Sequence, residues 1–240
     1  MKAAYLKALL EARAGKRECA FLTDLDSGEE AIIANGRTEG ELEIDDALMS
    51  QVDAAFSKRE SRLVEDANRR VFIQVLVPRL RLAIIGAGHI SQYLTTIAGA
   101  AGFDCTVIDP RTLYASPERF PGATISHDWP DEALDALGLD SGCAVVALSH
   151  DPKLDEPALG AAVRSDAFYI GALGSRKTTA QRRERMKAEG FTDAELDRIH
   201  GPVGLDIGAL SPAEIAVSIV AEMIDVLRPE KKGYGRARVA

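Results

Sequence analysis

Four short stretches hold the residue types that handle a phosphate-bearing ligand; the first three fall where an apolar run gives way to a loop or a helix, and the fourth precedes the last helix. The first is Gly86-Ala87-Gly88-His89-Ile90-Ser91, directly after Leu82 to Ile85. There Gly86 permits a tight turn, Gly88 lets a pyrophosphate approach the backbone, and His89 opens the helix whose amides would meet it. Ser91, small but not glycine, occupies the third position of the dinucleotide fingerprint. That fingerprint also asks for an acidic residue about 20 positions on. Asp109 stands 23 residues after Gly86, at the end of the next apolar run, as a candidate acceptor for a ribose diol. Arg111, two residues further, suits either an additional phosphate or a carboxylate.

The second stretch is Ser149-His150-Asp151-Pro152-Lys153-Leu154-Asp155, after the run Ala144 to Leu148. His150 is a candidate proton shuttle, hydrogen-bond donor or metal ligand. Asp151 stands beside it, and Asp155 is a candidate cap for the helix that follows. The third is Gly174-Ser175-Arg176-Lys177, where glycine, a hydroxyl and two bases open a helix and so describe an anion site. The spacing is not that of a P-loop. The run Gln181-Arg182-Arg183-Glu184-Arg185 beyond it reads as a solvated helix face. The fourth, His200 to Gly208, is rich in glycine and brings Asp206 either to a ligand or to the task of holding its own loop.

The elements that must position these residues alternate. Apolar runs at 82–85, 103–108, 144–148 and 168–173 are continuous, as strands covered on both faces should be. Helical stretches at 89–101, 131–137, 155–164 and 176–188 lie between them, and a shorter run at 123–126 is a further candidate strand. This βαβ rhythm predicts an α/β fold with a Rossmann-like, doubly wound parallel sheet, whose ligand crevice lies beyond the carboxyl ends of the strands. A last helix is predicted over 212–227, opened by a capping box from Ser211 to Glu214 with Pro212 at its first position, and closed by Pro229.

Before this rhythm begins, residues 1–78 read as a smaller α+β domain ending at Pro78, and 79–240 as the Rossmann-like domain. In the smaller one, helices are predicted over 2–14 and 45–58, the second capped by Asp45. Strands are predicted at 20–22, 31–33, 61–65 and 70–77. Turns are expected at Asp26-Ser27-Gly28, Asn35-Gly36 and Asp66-Ala67-Asn68.

Composition narrows the function. With 240 residues, 46% hydrophobic and 28% charged, the chain can build a sizeable core and is not disordered. Its net charge of −8 argues against nucleic-acid binding. The acidity is local: ten acidic residues and one base, Arg37, lie between Asp24 and Asp53, a net of −9 that leaves the rest of the chain at +1. Cys19, Cys105 and Cys143 are scattered and odd in number, which argues against a disulfide framework or structural zinc. Cys105 and Cys143 read as small buried hydrophobes. No apolar stretch approaches the roughly 18 residues of a membrane helix. The chain opens on an amphipathic segment instead of a signal-peptide core, so the cytoplasm is the expected location.

Taken together, Gly-Ala-Gly-His at 86–89, Asp109-Pro110-Arg111, Glu118-Arg119-Phe120-Pro121-Gly122, His150 to Asp155, Gly174 to Lys177, Gly201 to Gly208 and Pro212 to Ala216 resemble the XdhC/CoxI family over about 80–227. Residues 70–73 leading to Pro78 resemble that family's smaller N-terminal domain. Many members carry a Gly-Gly-Cys element there. This chain reads Gly36-Arg37-Thr38-Glu39-Gly40-Glu41-Leu42 instead, which resembles the CoxI-like branch and carries over no role for a thiol.

The resemblance implies a non-catalytic maturation factor for molybdenum hydroxylases of the xanthine or carbon monoxide dehydrogenase type. Such a factor binds the molybdenum cofactor (molybdopterin, with or without a nucleotide), assists its sulfuration with a cysteine desulfurase, and delivers it to the apo-enzyme. On that basis Gly86, Gly88, Ser175, Arg176 and Lys177 are expected around phosphates, and His89, Gly174 and Arg111 among the other cofactor-binding residues. Asp109 is expected at a ribose or the pterin edge, and His150, Asp151 and Asp206 at the metal end. A homodimer is the expected assembly. The acidic window is expected to face the client. The competing reading is an NAD(P)-dependent oxidoreductase, for which Asp109 would favour NAD, although no Tyr-Lys or acid–base pair stands outside the crevice. A third is a protein-interaction module built on the N-terminal domain.

Overall fold

The computed structural model describes residues 3–15, 17–65 and 69–228. The chain divides into two compact units, Met1–Pro78 and Arg79–Ala240. In the first, α1 (Ala3–Ala14) precedes strands β1 (Cys19–Asp24), β2 (Glu30–Ala34) and β3 (Arg37–Gly40), then α2 (Asp46–Lys58), β4 (Arg62–Glu65) and β5 (Arg70–Leu76). The strands form one antiparallel sheet in the order β3-β2-β1-β5-β4. The β2–β3 hairpin turns on Asn35 and Gly36, both at positive φ (55° and 70°), the geometry that a tight two-residue turn requires. Its second strand escapes the sequence reading because Arg37-Thr38-Glu39-Gly40 is an exposed edge with no apolar side chain. Asp45 caps α2 by accepting from the Leu48 amide at 2.7 Å. The helix then buries Leu48, Val52 and Ala55 against Leu22 and Ile73 of the sheet. The expected turn at Asp66-Ala67-Asn68, the start of the first helix at Lys2 and the stop at Pro229 lie outside the described residues.

The second unit runs β6 (Leu80–Ile85), α3 (His89–Ala100), β7 (Phe103–Ile108), β8 (Thr124–Ser126), α4 (Pro130–Leu137), β9 (Cys143–Ala147), α5 (Pro152–Val163), β10 (Tyr169–Ala172), α6 (Arg176–Ala188), α7 (Asp193–Leu196), β11 (Ile199–His200) and α8 (Pro212–Leu227). All six strands are parallel, in the order β8-β7-β6-β9-β10-β11. This is the Rossmann order, and the winding reverses between β6 and β9. One core, with Leu154, Leu159 and Met186, lies beneath α4, α5 and α6. The other, with Leu94, Ala98, Ile219 and Met223, lies beneath α3 and α8. Both faces are covered, which is why 82–85 in β6 and the whole of β9 read as unbroken apolar runs.

Two small elements of this second unit, α7 and β11, are absent from the sequence reading. The α7 turn carries its own capping box, Thr192 with Glu195, a signal visible in the sequence. By contrast, β11 is two residues long and is defined by partners far away in the chain. His200 stacks on Tyr169 at 4.7 Å, and its Nδ1 lies 3.3 Å from Glu222 Oε1 on α8. The other Glu222 oxygen accepts from the Tyr169 hydroxyl and, at 2.8 Å, from the Gly204 amide. One carboxylate thus ties β10, β11 and the loop after it to the last helix. Replacing Glu222 by Leu strands the Tyr169 hydroxyl and the Gly204 amide together, so a loss of about 2 to 4 kcal/mol is expected in denaturant unfolding.

Candidate functional site

The loops at the carboxyl ends of β6, β7, β9 and β10 come from the middle of the sheet, around the reversal point. Gly86 follows β6 at φ +95°, and a Cβ there would come 2.6 Å from Ser149 Cα. Only glycine fits where the β6 and β9 loops touch. Gly88 is the N-cap of α3 and supplies no side-chain cap, and a Cβ on it would meet nothing within 4 Å. The helix N-terminus is therefore open in front of Gly88 and His89, with its amides oriented to receive an anion. Ser91 is fully buried and donates its hydroxyl to the Gly86 carbonyl at 2.5 Å. It closes the turn from below, so the third glycine position is filled by a residue that bonds the first.

Asp109 does not present itself to a ribose. It is fully buried, and both of its oxygens are engaged within the chain. Oδ2 accepts from the Ala87 amide at 2.8 Å and from Arg111 Nη2 at 2.8 Å. Oδ1 accepts from the Arg111 amide at 3.0 Å and from Nε at 2.8 Å. Of the two roles open to Arg111, the carboxylate pairing is thus formed, and its guanidinium is also 4.8 Å from the centre of the Tyr114 ring. Burial alone would raise the Asp109 pKa, but the Arg111 side chain and the two amides outweigh it and hold the carboxyl below its usual range. Asp109 therefore holds the glycine loop and aims Arg111.

On the β9 loop the cap is Asp151, not Asp155. The Asp151 side chain accepts from the Lys153 amide at 3.0 Å, and Pro152, with φ already helical, starts α5 three residues earlier than expected. Asp155 turns inward instead, 1% exposed, and accepts from the Ser149 amide (3.2 Å) and hydroxyl (2.7 Å). Burial pushes its carboxyl up, partly offset by Ser149, Arg182 and His150. His150 sits between these fixed neighbours at φ +63°, exposed, in a conformation that few non-glycine residues adopt.

On the β10 loop, Gly174 at φ +148° leads to Ser175, which caps α6 by accepting from the Thr178 amide at 3.1 Å. Arg176 and Lys177 are exposed in its first turn. The basic run beyond is not wholly a solvated face, because Arg182 is 6% exposed and donates to the Leu173 carbonyl at 2.8 Å. Asp206 is exposed on the loop after β11, with no side-chain hydrogen bond or ion pair among the described residues. Among the same residues no three His, Cys, Asp or Glu side chains converge to hold a metal ion. All three cysteines are buried and free, and burial pushes the Cys105 thiol up to about 11. No described helix is long and apolar enough to cross a membrane.

The strand order and the open glycine loop at the reversal point define a Rossmann-type α/β domain. The chain belongs to the XdhC family: the model of the XdhC Rossmann domain matches residues 82–223. It is 33% identical over 160 residues to a Bacillus subtilis protein described as a probable xanthine dehydrogenase subunit, in a match covering 66% of this chain and 46% of that protein. It is 30% identical over 149 residues to the molybdenum cofactor insertion chaperone PaoD of Escherichia coli, covering 62% and 41%. An uncharacterized Escherichia coli protein, YqeB, is 32% identical over 158 residues, covering 65% and 29%. These matches span less than half the length of each relative. A crystal structure described as a xanthine dehydrogenase from Bacillus halodurans superposes with a TM-score of 0.73 at 27% identity, over 97% of this chain and 66% of that one.

Because the folded Asp109 carboxyl titrates below its ordinary range, the stability it contributes is present above about pH 4 and is lost as pH falls through the folded value. Asp109→Asn is expected to cost about 1 to 3 kcal/mol at neutral pH. In denaturant unfolding as a function of pH, the gap between variant and wild type should close in acid.

Proposed function

We propose that the chain is a carrier for the molybdenum cofactor, a pterin bearing phosphate with or without a nucleotide, which it delivers to an apo-enzyme of the xanthine or carbon monoxide dehydrogenase type. The observation that carries this reading is the α3 N-terminus at the sheet's reversal point, without a side-chain cap and open in front of Gly88. The names of two relatives, one a molybdenum cofactor insertion chaperone and the other a probable part of a xanthine dehydrogenase, supply the ligand and the client class.

The residues fit such a cargo. Amides of the Gly86–His89 loop and of the Ser175 cap would meet phosphate oxygens, and Arg176 and Lys177 would supply the charge. Arg111, held in place by Asp109, would stand at the edge of the same crevice. His150, Asp151 and Asp206 are left for the polar end of the ligand; the Asp151 carboxylate already caps α5, so its share is mainly to present His150. Sulfuration would draw its sulfur from a cysteine desulfurase, because the three described cysteines are buried. The oxidoreductase alternative loses its main support with Asp109, whose oxygens are committed to Ala87 and Arg111.

Protein purified from cells that make the cofactor should contain molybdenum and pterin in equal amounts. Absence of both, together with no binding by apo-protein at micromolar cofactor, would overturn the proposal. Replacing Arg176 and Lys177 by alanine should weaken binding about tenfold, and less at high salt.

The acidic window is the proposed client face. Asp24 is buried and caps its own turn, while Asp26 and Asp45 pair with Arg70 and Arg69, so these three are already committed. Neutralising the exposed Glu29, Glu39, Glu43 and Asp53 should weaken client binding in a salt-dependent way and leave cofactor affinity unchanged in pull-down and binding assays.

A further inference from the structure

Arg182 breaks with the run it belongs to. Arg183 pairs with Asp193 and Asp197 at the surface, and Arg185, itself 44% exposed, pairs with the mostly buried Glu156. Arg182 instead points inward, and while its Nη2 holds the Leu173 carbonyl, its Nη1 is buried without a hydrogen-bond partner. Asp155, equally buried, belongs to the first turn of α5. No direct ion pair joins them, yet each lies in the other's field. Burial disfavours the charge on both, and each opposes that effect on the other. Glu156 also supports the Arg182 charge and Arg185 opposes it, while His150 supports that of Asp155. A buried, half-satisfied guanidinium is destabilising, and an apolar residue would fill the same helix position more favourably.

What the two charges touch gives them a task. Leu173 carries β10 into Gly174 and Ser175, the cap of α6, and its own amide is tied to the Ala147 carbonyl of β9 at 2.9 Å. Asp155 fixes Ser149, whose hydroxyl also meets the Asp151 amide (3.0 Å) and carbonyl (3.2 Å), enclosing His150 on both sides. Asp155 Oδ1 accepts both Ser149 donors.

We propose that Arg182 is a positioning residue for the ligand site, setting the β10–α6 loop through the Leu173 carbonyl so that Gly174 and Ser175 are presented in one fixed arrangement. This rests on the reading above that this loop serves the ligand. Arg182 does not itself touch that ligand.

The test uses the full chain with Arg182→Met and Arg182→Lys. Two readouts are needed: hydrogen exchange of the amides at 173–177, and affinity for the molybdenum cofactor. Arg182→Met should speed exchange at 173–177, leaving 158–163 protected, and weaken binding about tenfold well below its melting temperature. Arg182→Lys, which keeps a donor for the Leu173 carbonyl, should recover part of both. Wild-type exchange at 173–177 in Arg182→Met would overturn the proposal. A lower melting temperature with unchanged affinity would do the same. If Arg182→Met does not fold, exchange and affinity of Arg182→Lys, expected between wild type and loss, decide it, and wild-type values in both would overturn the proposal. If wild-type protein binds no cofactor, the proposed function fails, and the exchange pattern still decides the role of Arg182.

Discussion

A carboxylate with no solvent contact sets the shape of the site. Asp109 faces the β6 loop from the end of β7, and with its two oxygens it accepts from Ala87 and from three donors of Arg111. The Ala87 bond fixes the turn between the two glycines, and that turn fixes the direction in which the α3 amides open. The Arg111 bonds stiffen a side chain that would otherwise sample many rotamers and that remains 44% exposed. Once the loop is fixed, Gly86 must remain glycine, because Ser149 occupies the space that a Cβ would need. The charge is matched inside the protein, and the effect is to aim other groups outward.

Every candidate ligand group then hangs on a regular element. Gly88 and His89 begin α3, Asp151 caps α5, Ser175 caps α6, and the loop bearing Asp206 is held by Glu222 of α8. Sites built on helix ends and strand ends are set more exactly than sites on free loops. The α3 N-terminus, like that of α4 behind Trp129, has no side-chain cap, but at α3 the cap position is a glycine. Ser175 and Ser211 cap their helices with a hydroxyl, and Asp151 caps with a carboxylate, but α3 has only the Gly88 backbone. Its amides are left for something that arrives.

Much of this was legible in the sequence. The continuous runs at 82–85 and 144–148 announce strands buried on both faces, and the glycine spacing after Ile85 places the crevice. Ser211, Pro212 and Glu214 announce the last helix to the residue. What was not legible depends on distant partners. Nothing local tells Asp151 from Asp155 as the cap, because the choice is made when Ser149 meets Asp155 across the loop. Arg182 looks like its basic neighbours until Leu173 is brought against α6. Asp109 could be placed by its spacing, but its direction could not, since the fingerprint records an acidic residue and not whom it bonds. The short strand β11 is set by its pairing with β10 and by Tyr169 and Glu222 against His200, all distant in the sequence.

The central claim is that the phosphate of a carried cofactor sits on the glycine loop at the reversal of the sheet. Amide hydrogen exchange with and without the molybdenum cofactor tests this directly. Protection should appear at residues 86–91 and 174–178 in the same titration and saturate together. Protection confined to any other part of the chain, with these two segments unchanged at saturating cofactor, would contradict it.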